Sequence, residues 1–217
     1  MPENIELFTA KVCPYAHRTR LVLAEKNIPF DLTEIDFDAK PARFLAVSPY
    51  GKVPALVHDG HAVYESAIVN EYLDEVFPSP AMRPADAWGR AQMRIWIDYC
   101  DNRFLDDYYD ALYLKDKSRI DELRDKVVGH LRHINDEGLA KLSDGPYWLG
   151  DAVSLLDCAY YPFFERLPGW MHHRGIEIPA ECTRLTTWIA TMENRTAVKS
   201  IANPPAYYIE RYRSHAA

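Results

Sequence analysis

Apolar residues in the first eighty positions fall into short runs separated by turn-forming residues. Ile5-Glu6-Leu7-Phe8 reads as a strand and Thr9-Ala10-Lys11-Val12 as the loop after it. From Tyr15 to Lys26 the chain holds strong helix formers with no internal Gly or Pro, so a helix is predicted. Pro14 opens it, at the position where a missing N–H costs nothing. Asn27 offers a left-handed stop before Ile28-Pro29. Phe30 to Phe37 reads as a second strand, although its alternation slips phase between Leu32 and Ile35, and a short helix is expected near Pro41 to Ala46. Val53 to His58, Asp59-Gly60 and His61 to Tyr64 make the clearest hairpin, because Asp-Gly between apolar runs suits a tight primed turn. A helix from about Ser66 to Val76 closes the series β-α-β-α-β-β-α, a small mixed sheet flanked by helices.

The pattern then changes. Phe77-Pro78-Ser79-Pro80-Ala81-Met82-Arg83-Pro84 carries three prolines in eight residues and reads as a linker. Beyond it, Trp88, Gln92, Ile95, Trp96 and Tyr99 recur at helical spacing, as do Ile120, Leu123, Val127, Leu131 and Ile134. The expected organisation is a sheet-bearing domain over 1–78, a linker over 79–87 and an all-helical domain over 88–217.

Composition narrows the partners. With 217 residues, 48% of them hydrophobic, the chain can bury a full-sized core. A formal charge of −7 argues against nucleic acid, whose binders need basic faces. No apolar run approaches the roughly 18–20 residues that span a bilayer, so no membrane partner is expected. The start Met1-Pro2-Glu3-Asn4-Ile5-Glu6 is acidic and unlike a signal peptide, so a cytoplasmic setting is the expectation.

Cys13, Cys100, Cys158 and Cys182 lie too far apart in sequence for a zinc clip or a redox pair, and no metal site is expected. Cys158 sits in an apolar run and reads as core; Cys100 and Cys182 read as inert. His172-His173 is adjacent rather than four apart, cannot share a helical face as metal ligands do, and reads as a loop. Asp106-Asp107-Tyr108-Tyr109-Asp110 reads as a solvated helix end in preference to a cleft wall.

Cys13 stands apart from the other three. It immediately precedes the helix-opening Pro14, where unpaired N–H groups and a partial positive charge favour a thiolate. His17 and Arg18, one turn on, add positive charge. Three residues after Cys13 stands Ala16, so no internal disulfide can close and a mixed disulfide must be resolved by an external thiol. Pro54, opening a strand, is expected to be cis, leaving the N–H and C=O of Val53 to pair with an extended peptide. Ser66, at a helix start, suits a cap or an anion, and Glu65 beside it suits an ammonium group. A thiolate, a backbone ladder and a carboxylate cradle, in that order, match Gly-Cys-γGlu.

These residues resemble the cytosolic glutathione transferases, most closely the omega class. Cys13-Pro14-Tyr15-Ala16-His17-Arg18-Thr19-Arg20-Leu21 is similar to that class's active-site helix, although His17 stands where Gln or Glu is expected. Asp38-Ala39-Lys40-Pro41, Asn70-Glu71-Tyr72-Leu73, the motif Ser154-Leu155-Leu156-Asp157 and Tyr161 to Leu167 continue the match. The resemblance implies a thioredoxin-like domain followed by an all-helical one, a homodimer, and glutathione as co-substrate. It implies that Cys13 forms a mixed disulfide with glutathione, that Lys40 pairs with the glycine carboxylate, and that Val53, ahead of Pro54, supplies the backbone ladder. Glu65 and Ser66 would hold the γ-glutamyl end, Tyr15 would line the cleft, and Arg166 and Trp188 would border a pocket for a small electrophilic or disulfide substrate. The implied activity is thiol transfer or reduction, such as dehydroascorbate reduction, deglutathionylation or reduction of glutathionyl conjugates. The rivals are a glutathione lyase or reductive dehalogenase of aromatic compounds and a non-catalytic interaction module.

Overall fold

The computed structural model describes residues 4–216, so Met1, Pro2 and Glu3 of the acidic start lie outside it. Contacts divide the chain into two compact units, Met1–Arg83 and Pro84–Ala217.

The first unit is a thioredoxin-like α/β domain built around β1 (Ile5–Thr9), whose Ile5, Leu7 and Phe8 are buried. Helix α1 (Pro14–Glu25) follows, with Pro14 in its first turn and Asn27 in the left-handed region at φ 51° beyond its end. Strand β2 covers only Asp31–Glu34, not Phe30 to Phe37. Its single neighbour, β1, ends at Thr9, whose register partner is Glu34. One further bond, Ile35 N–H to Thr9 O at 2.8 Å, closes the pairing before the chain turns away. Helix α2 (Ala42–Val47) starts one residue later than expected.

Strands β3 (Ala55–His58) and β4 (His61–Tyr64) form the hairpin, and both turn residues have positive φ, 48° at Asp59 and 83° at Gly60. That is the conformation a two-residue primed turn requires. The sheet order is β2-β1-β3-β4, parallel between β1 and β2 and antiparallel elsewhere. Helix α3 (Ser66–Val76) corrects one expectation: Ser66 is its first helical residue, and the capping position belongs to Glu65 at φ 68°. At the unit's end, buried Lys26 meets Asp74 at 2.6 Å and donates to the carbonyls of Phe77 and Pro80. This fastens the proline-rich stretch to the α/β domain.

The second unit is helical throughout. Helix α4 (Ala87–Tyr99) passes through a π-helical turn, Cys100–Phe104, into α5 (Leu105–Leu112). Helix α6 (Ile120–His133) continues through a second π-helical stretch, Ile134–Leu139, into the short α7 (Ala140–Leu142). Helix α8 (Leu155–Phe164) is buried along its whole length. Around it stand α9 (Leu167–Arg174), α10 (Thr183–Glu193), α11 (Thr196–Ile201) and α12 (Pro205–Ala216). His172 and His173 lie inside α9, not in a loop; Gly175 ends that helix in the left-handed region at φ 61°. Among the described residues no helix is long and apolar enough to cross a membrane.

Candidate active site

Cys13 caps the first helix with extended backbone, φ −80° and ψ 119°, and its amide donates to Ala10 O at 2.9 Å. Its carbonyl accepts from His17 N–H at 3.0 Å, so the helix begins on the cysteine itself. The side chain is half-buried, whereas Cys100, Cys158 and Cys182 are buried. Burial also pushes the Cys182 thiol up, so it stays protonated. The Cys13 thiol is within donor reach of Val53 O, with Sγ 3.6 Å away. Val53 joins Pro54 through a cis peptide bond at the start of β3. Thus Cys13, Val53 and Pro54, forty residues apart in sequence, come together where β1 ends and β3 begins, at one end of the two central strands.

The loop before Val53 is held from within. Ser48 Oγ donates to Lys52 O at 2.7 Å and accepts from Lys52 N–H at 3.0 Å. Gly51 occupies the left-handed region at φ 58°, and a Cβ built there would lie 3.4 Å from Lys40 Nζ. The Lys40 ammonium therefore rests against this loop, two residues ahead of Val53, and it also lies 5.8 Å from the centre of the Phe37 ring. Lys40 is exposed.

On the other side of the thiol, Tyr15 is half-buried and Ser66 is 6% exposed. The two are joined through a residue whose connecting role the sequence did not announce. Arg18 is 1% exposed; its guanidinium stacks 5.1 Å from the Tyr15 ring centre and Nη1 donates to Ser66 Oγ at 3.4 Å. Next to it, Thr19 Oγ1 donates to Asn70 Oδ1 at 2.9 Å, a second buried tie between α1 and α3. The signal was present in the four consecutive polar residues His17 to Arg20 in mid-helix, all of which prove to be buried. Glu65 is exposed at the head of α3.

Arg166 and Trp188 do not join any such arrangement. Neither has solvent-accessible surface: Arg166 donates to Pro162 O and lies 4.9 Å from the Tyr208 ring centre, and Trp188 Nε1 donates to Asp157 Oδ1 at 2.8 Å. Groups sealed in this way hold the helical core. The helical unit does contain a pocket of about 390 Å³ elsewhere, beside Arg124, Met171, His172 and Arg174. Its arginines are engaged in ending helices. Arg124 donates to Arg174 O at 3.1 and 3.2 Å, and Arg174 to Leu112 O at 2.7 Å.

Residues 12–76 match the family model described as "Glutathione S-transferase, N-terminal domain", and residues 117–191 match "Glutathione S-transferase, C-terminal domain". Glutathione S-transferase omega-2 of Rattus norvegicus is 32% identical over 205 residues, covering 91% of this chain and 79% of that protein. The chain belongs to the glutathione transferase family. Glutathione transferase Omega 3C from Trametes versicolor superposes with a TM-score of 0.84 at 28% identity, covering 94% of this chain and 91% of that one. The Tau class glutathione S-transferase MiGSTU from mango, Mangifera indica, superposes with a TM-score of 0.91 at 26% identity, covering 98% of each chain. Family membership makes this an enzyme that uses glutathione, with recognisable likeness to the omega class and a backbone shared with the tau class.

Proposed function

We propose that this transferase is of the cysteine type and works by thiol transfer through Cys13. The observation that carries the reading is the half-buried thiol at the head of α1, against Val53 O, with Ala16 in place of a resolving cysteine. In the first step the Cys13 thiolate attacks the glutathione sulfur of a mixed disulfide R–S–SG; the Cys13–SG bond forms and R–S⁻ leaves. In the second, a glutathione thiolate attacks the Cys13-bound glutathione sulfur, releasing oxidised glutathione and regenerating the Cys13 thiolate. The sum is RSSG + GSH → RSH + GSSG, and reduction of dehydroascorbate or of glutathionyl conjugates draws on the same cycle.

The protein's own residues do the holding. Val53 offers its backbone to the cysteinyl part of glutathione and Lys40 its ammonium to the glycine carboxylate. Ser66 and the N–H groups at the head of α3 take the γ-glutamyl carboxylate, and Glu65 takes the γ-glutamyl ammonium. Tyr15 lines the cleft beside the thiol. A homodimer and a cytoplasmic setting, where glutathione is abundant and reduced, complete the reading.

Intact-protein mass measurement after exposure to oxidised glutathione is the direct test. One glutathione adduct is expected, absent from Cys13→Ala; adducts that persist in that variant would sink the mechanism. The tau-class likeness supports a second reading, conjugation, and Cys13→Ser separates the two. That variant should lose thiol transfer and gain conjugation, whereas unchanged reductase activity would refute the thiol route.

A further inference from the structure

One cavity of the helical unit carries the opposite sign of charge to the chain as a whole. Asp and Glu outnumber Lys and Arg by 32 to 25 in this protein. Yet among the described residues that line the cavity of about 390 Å³ none is acidic and four are basic, Arg124, His172, His173 and Arg174. Leu114, Ile120 and Met171 give it an apolar wall. Its volume falls within the roughly 300–1,000 Å³ of small-molecule sites. All these residues belong to the helical unit and none to the thiol site.

Part of this pattern has a local cause. His172, His173 and Arg174 fill the last turn of α9, where cations complement the negative end of the helix. That accounts neither for Arg124, which stands on α6, nor for the open volume beside it. Arg124 is held in a fixed pose: Nε and Nη2 donate to Arg174 O at 3.2 and 3.1 Å, and Nη1 donates to Asp121 at 2.6 Å. A guanidinium has five N–H groups, so one remains on each terminal nitrogen. A Cβ at Gly175 would stand 3.4 Å from Nη2, so the glycine leaves that side of the group uncovered. The Asp121 side chain is 85% exposed, where water screens its pairing with Arg124. Arg174 is buried and donates to the carbonyls of Leu112 and Leu114, which take its protons but carry no net charge. Burial pushes its guanidinium down from the ordinary value, and an anion alongside would act in the opposite direction. Nearer solvent, His173 Nε2 lies 2.6 Å from Ile209 O, which fixes the ring, and the His172 ring meets it edge-on at 4.7 Å.

We propose that this cavity binds a phosphate monoester, with its phosphoryl group on Arg124 and the two imidazoles and its organic part against Leu114, Ile120 and Met171. A guanidinium grips two phosphate oxygens at once through paired N–H groups. A carboxylate has two oxygens, which Arg124 alone would fill, whereas the three terminal oxygens of a phosphate also engage His172 and His173. The more deeply buried charge of Arg174 adds attraction without contact. The site does not rest on the glutathione reading, and no chemical step is assigned to it.

The test is calorimetry on the full chain with three probes that share one ring system, 1-naphthyl phosphate, 1-naphthoate and 1-naphthol, at saturating glutathione. The phosphate should bind at least about tenfold more tightly than 1-naphthol, and more tightly than 1-naphthoate. Arg124→Gln, which keeps hydrogen-bond donors and removes the charge, should weaken the phosphate by about tenfold and 1-naphthol far less. Met171→Glu, which puts a carboxylate into the cavity, should do the same by like-charge repulsion. Equal affinities for the phosphate and 1-naphthol, or phosphate binding unchanged in Met171→Glu, would overturn the proposal. Tighter binding of 1-naphthoate would overturn the phosphate class. Should Arg124→Gln fold poorly, Met171→Glu decides the matter, since Met171 is 45% exposed and its side chain caps no helix. Cys13→Ala should leave all three affinities unchanged, which keeps the outcome separate from that of the thiol mechanism.

Discussion

The ammonium of Lys40 and the missing side chain of Gly51 define one another. At φ 58° the glycine occupies a region that costs an ordinary residue roughly 1–2 kcal/mol, and its bare Cα leaves room for Lys40 Nζ, 3.4 Å from where a Cβ would stand. Gly51→Ala should therefore cost about 1 kcal/mol in denaturant unfolding, with little added from steric conflict because the neighbour is the end of a flexible chain. Lys40→Ala, which removes the ammonium, should weaken glutathione binding by about twofold to fivefold. Unchanged affinity would remove Lys40 from the site. At this scale the proposed site was legible wherever chemistry is local: Cys13 ahead of a helix-opening proline, Ala16 three residues on, and Lys40, Val53, Glu65 and Ser66 in motif context. Two kinds of residue were not legible. Arg18 could be recognised as a cation near the thiol but not as the connection between Tyr15 and Ser66, because that contact spans forty-eight positions. Arg166 and Trp188 carry side chains typical of pockets, yet packing seals both, and burial on that scale belongs to tertiary structure and leaves no mark in a motif.

Among the elements, α8 shows how much can depend on a start signal. Ser154 and Asp157 form a reciprocal cap, in which Asp157 Oδ2 accepts from Ser154 N–H at 2.8 Å and Ser154 Oγ at 2.6 Å. The other carboxylate oxygen accepts from Trp148 N–H at 3.2 Å and Trp188 Nε1 at 2.8 Å. One side chain thus satisfies four buried donors, although burial still pushes its carboxyl up against the lowering effect of those bonds. Losing an ordinary helix cap costs about 1 kcal/mol, and each buried donor left without a partner costs about 1–3 kcal/mol. Asp157→Ala should therefore lose about 3–5 kcal/mol, lowering the melting temperature by roughly 10 °C for a chain of this size, while Ser154→Ala should lose about 1 kcal/mol. Calorimetric melts that place the two variants together would show that the tryptophan contacts contribute nothing. The cap was readable because its partners stand three residues apart. The hairpin and α1 were readable for the same reason, each being set by neighbouring residues. Strand β2 was overextended because its end is set by Thr9 of β1, and α9 was missed because Pro168 and Gly169 look like breakers. In the fold Pro168 sits in the first turn, and Gly169 is where it is because a Cβ would come within 2.6 Å of the Tyr212 ring.

Over the whole molecule, burial marks out a group among the fourteen tyrosines that a titration can read. Five of them, Tyr99, Tyr108, Tyr161, Tyr208 and Tyr212, have phenols raised above the ordinary value, in every case chiefly because burial disfavours the phenolate. Tyr99 is pushed up to about 12, and its hydroxyl lies 2.5 Å from His130 Nδ1, whose Nε2 lies 2.9 Å from Asp107. Trp170 Nε1 donates to the Tyr108 hydroxyl at 2.7 Å, and Tyr208 donates to Glu165. All five belong to the helical unit, none to the thioredoxin-like one. An acid whose folded value lies above its unfolded value keeps its proton longer in the fold. Its contribution is therefore complete below about pH 10, the unfolded value for tyrosine, and is lost as pH rises towards the folded one. Followed by absorbance at the phenolate band, these five should stay protonated past pH 10. They should ionise together and late, in step with loss of helical circular dichroism. Tyr99→Phe should remove one phenolate from this late group. Ionisation of all five near pH 10, with helicity intact, would mean that the aromatic interior around α8 admits water and is not an enclosed core in solution.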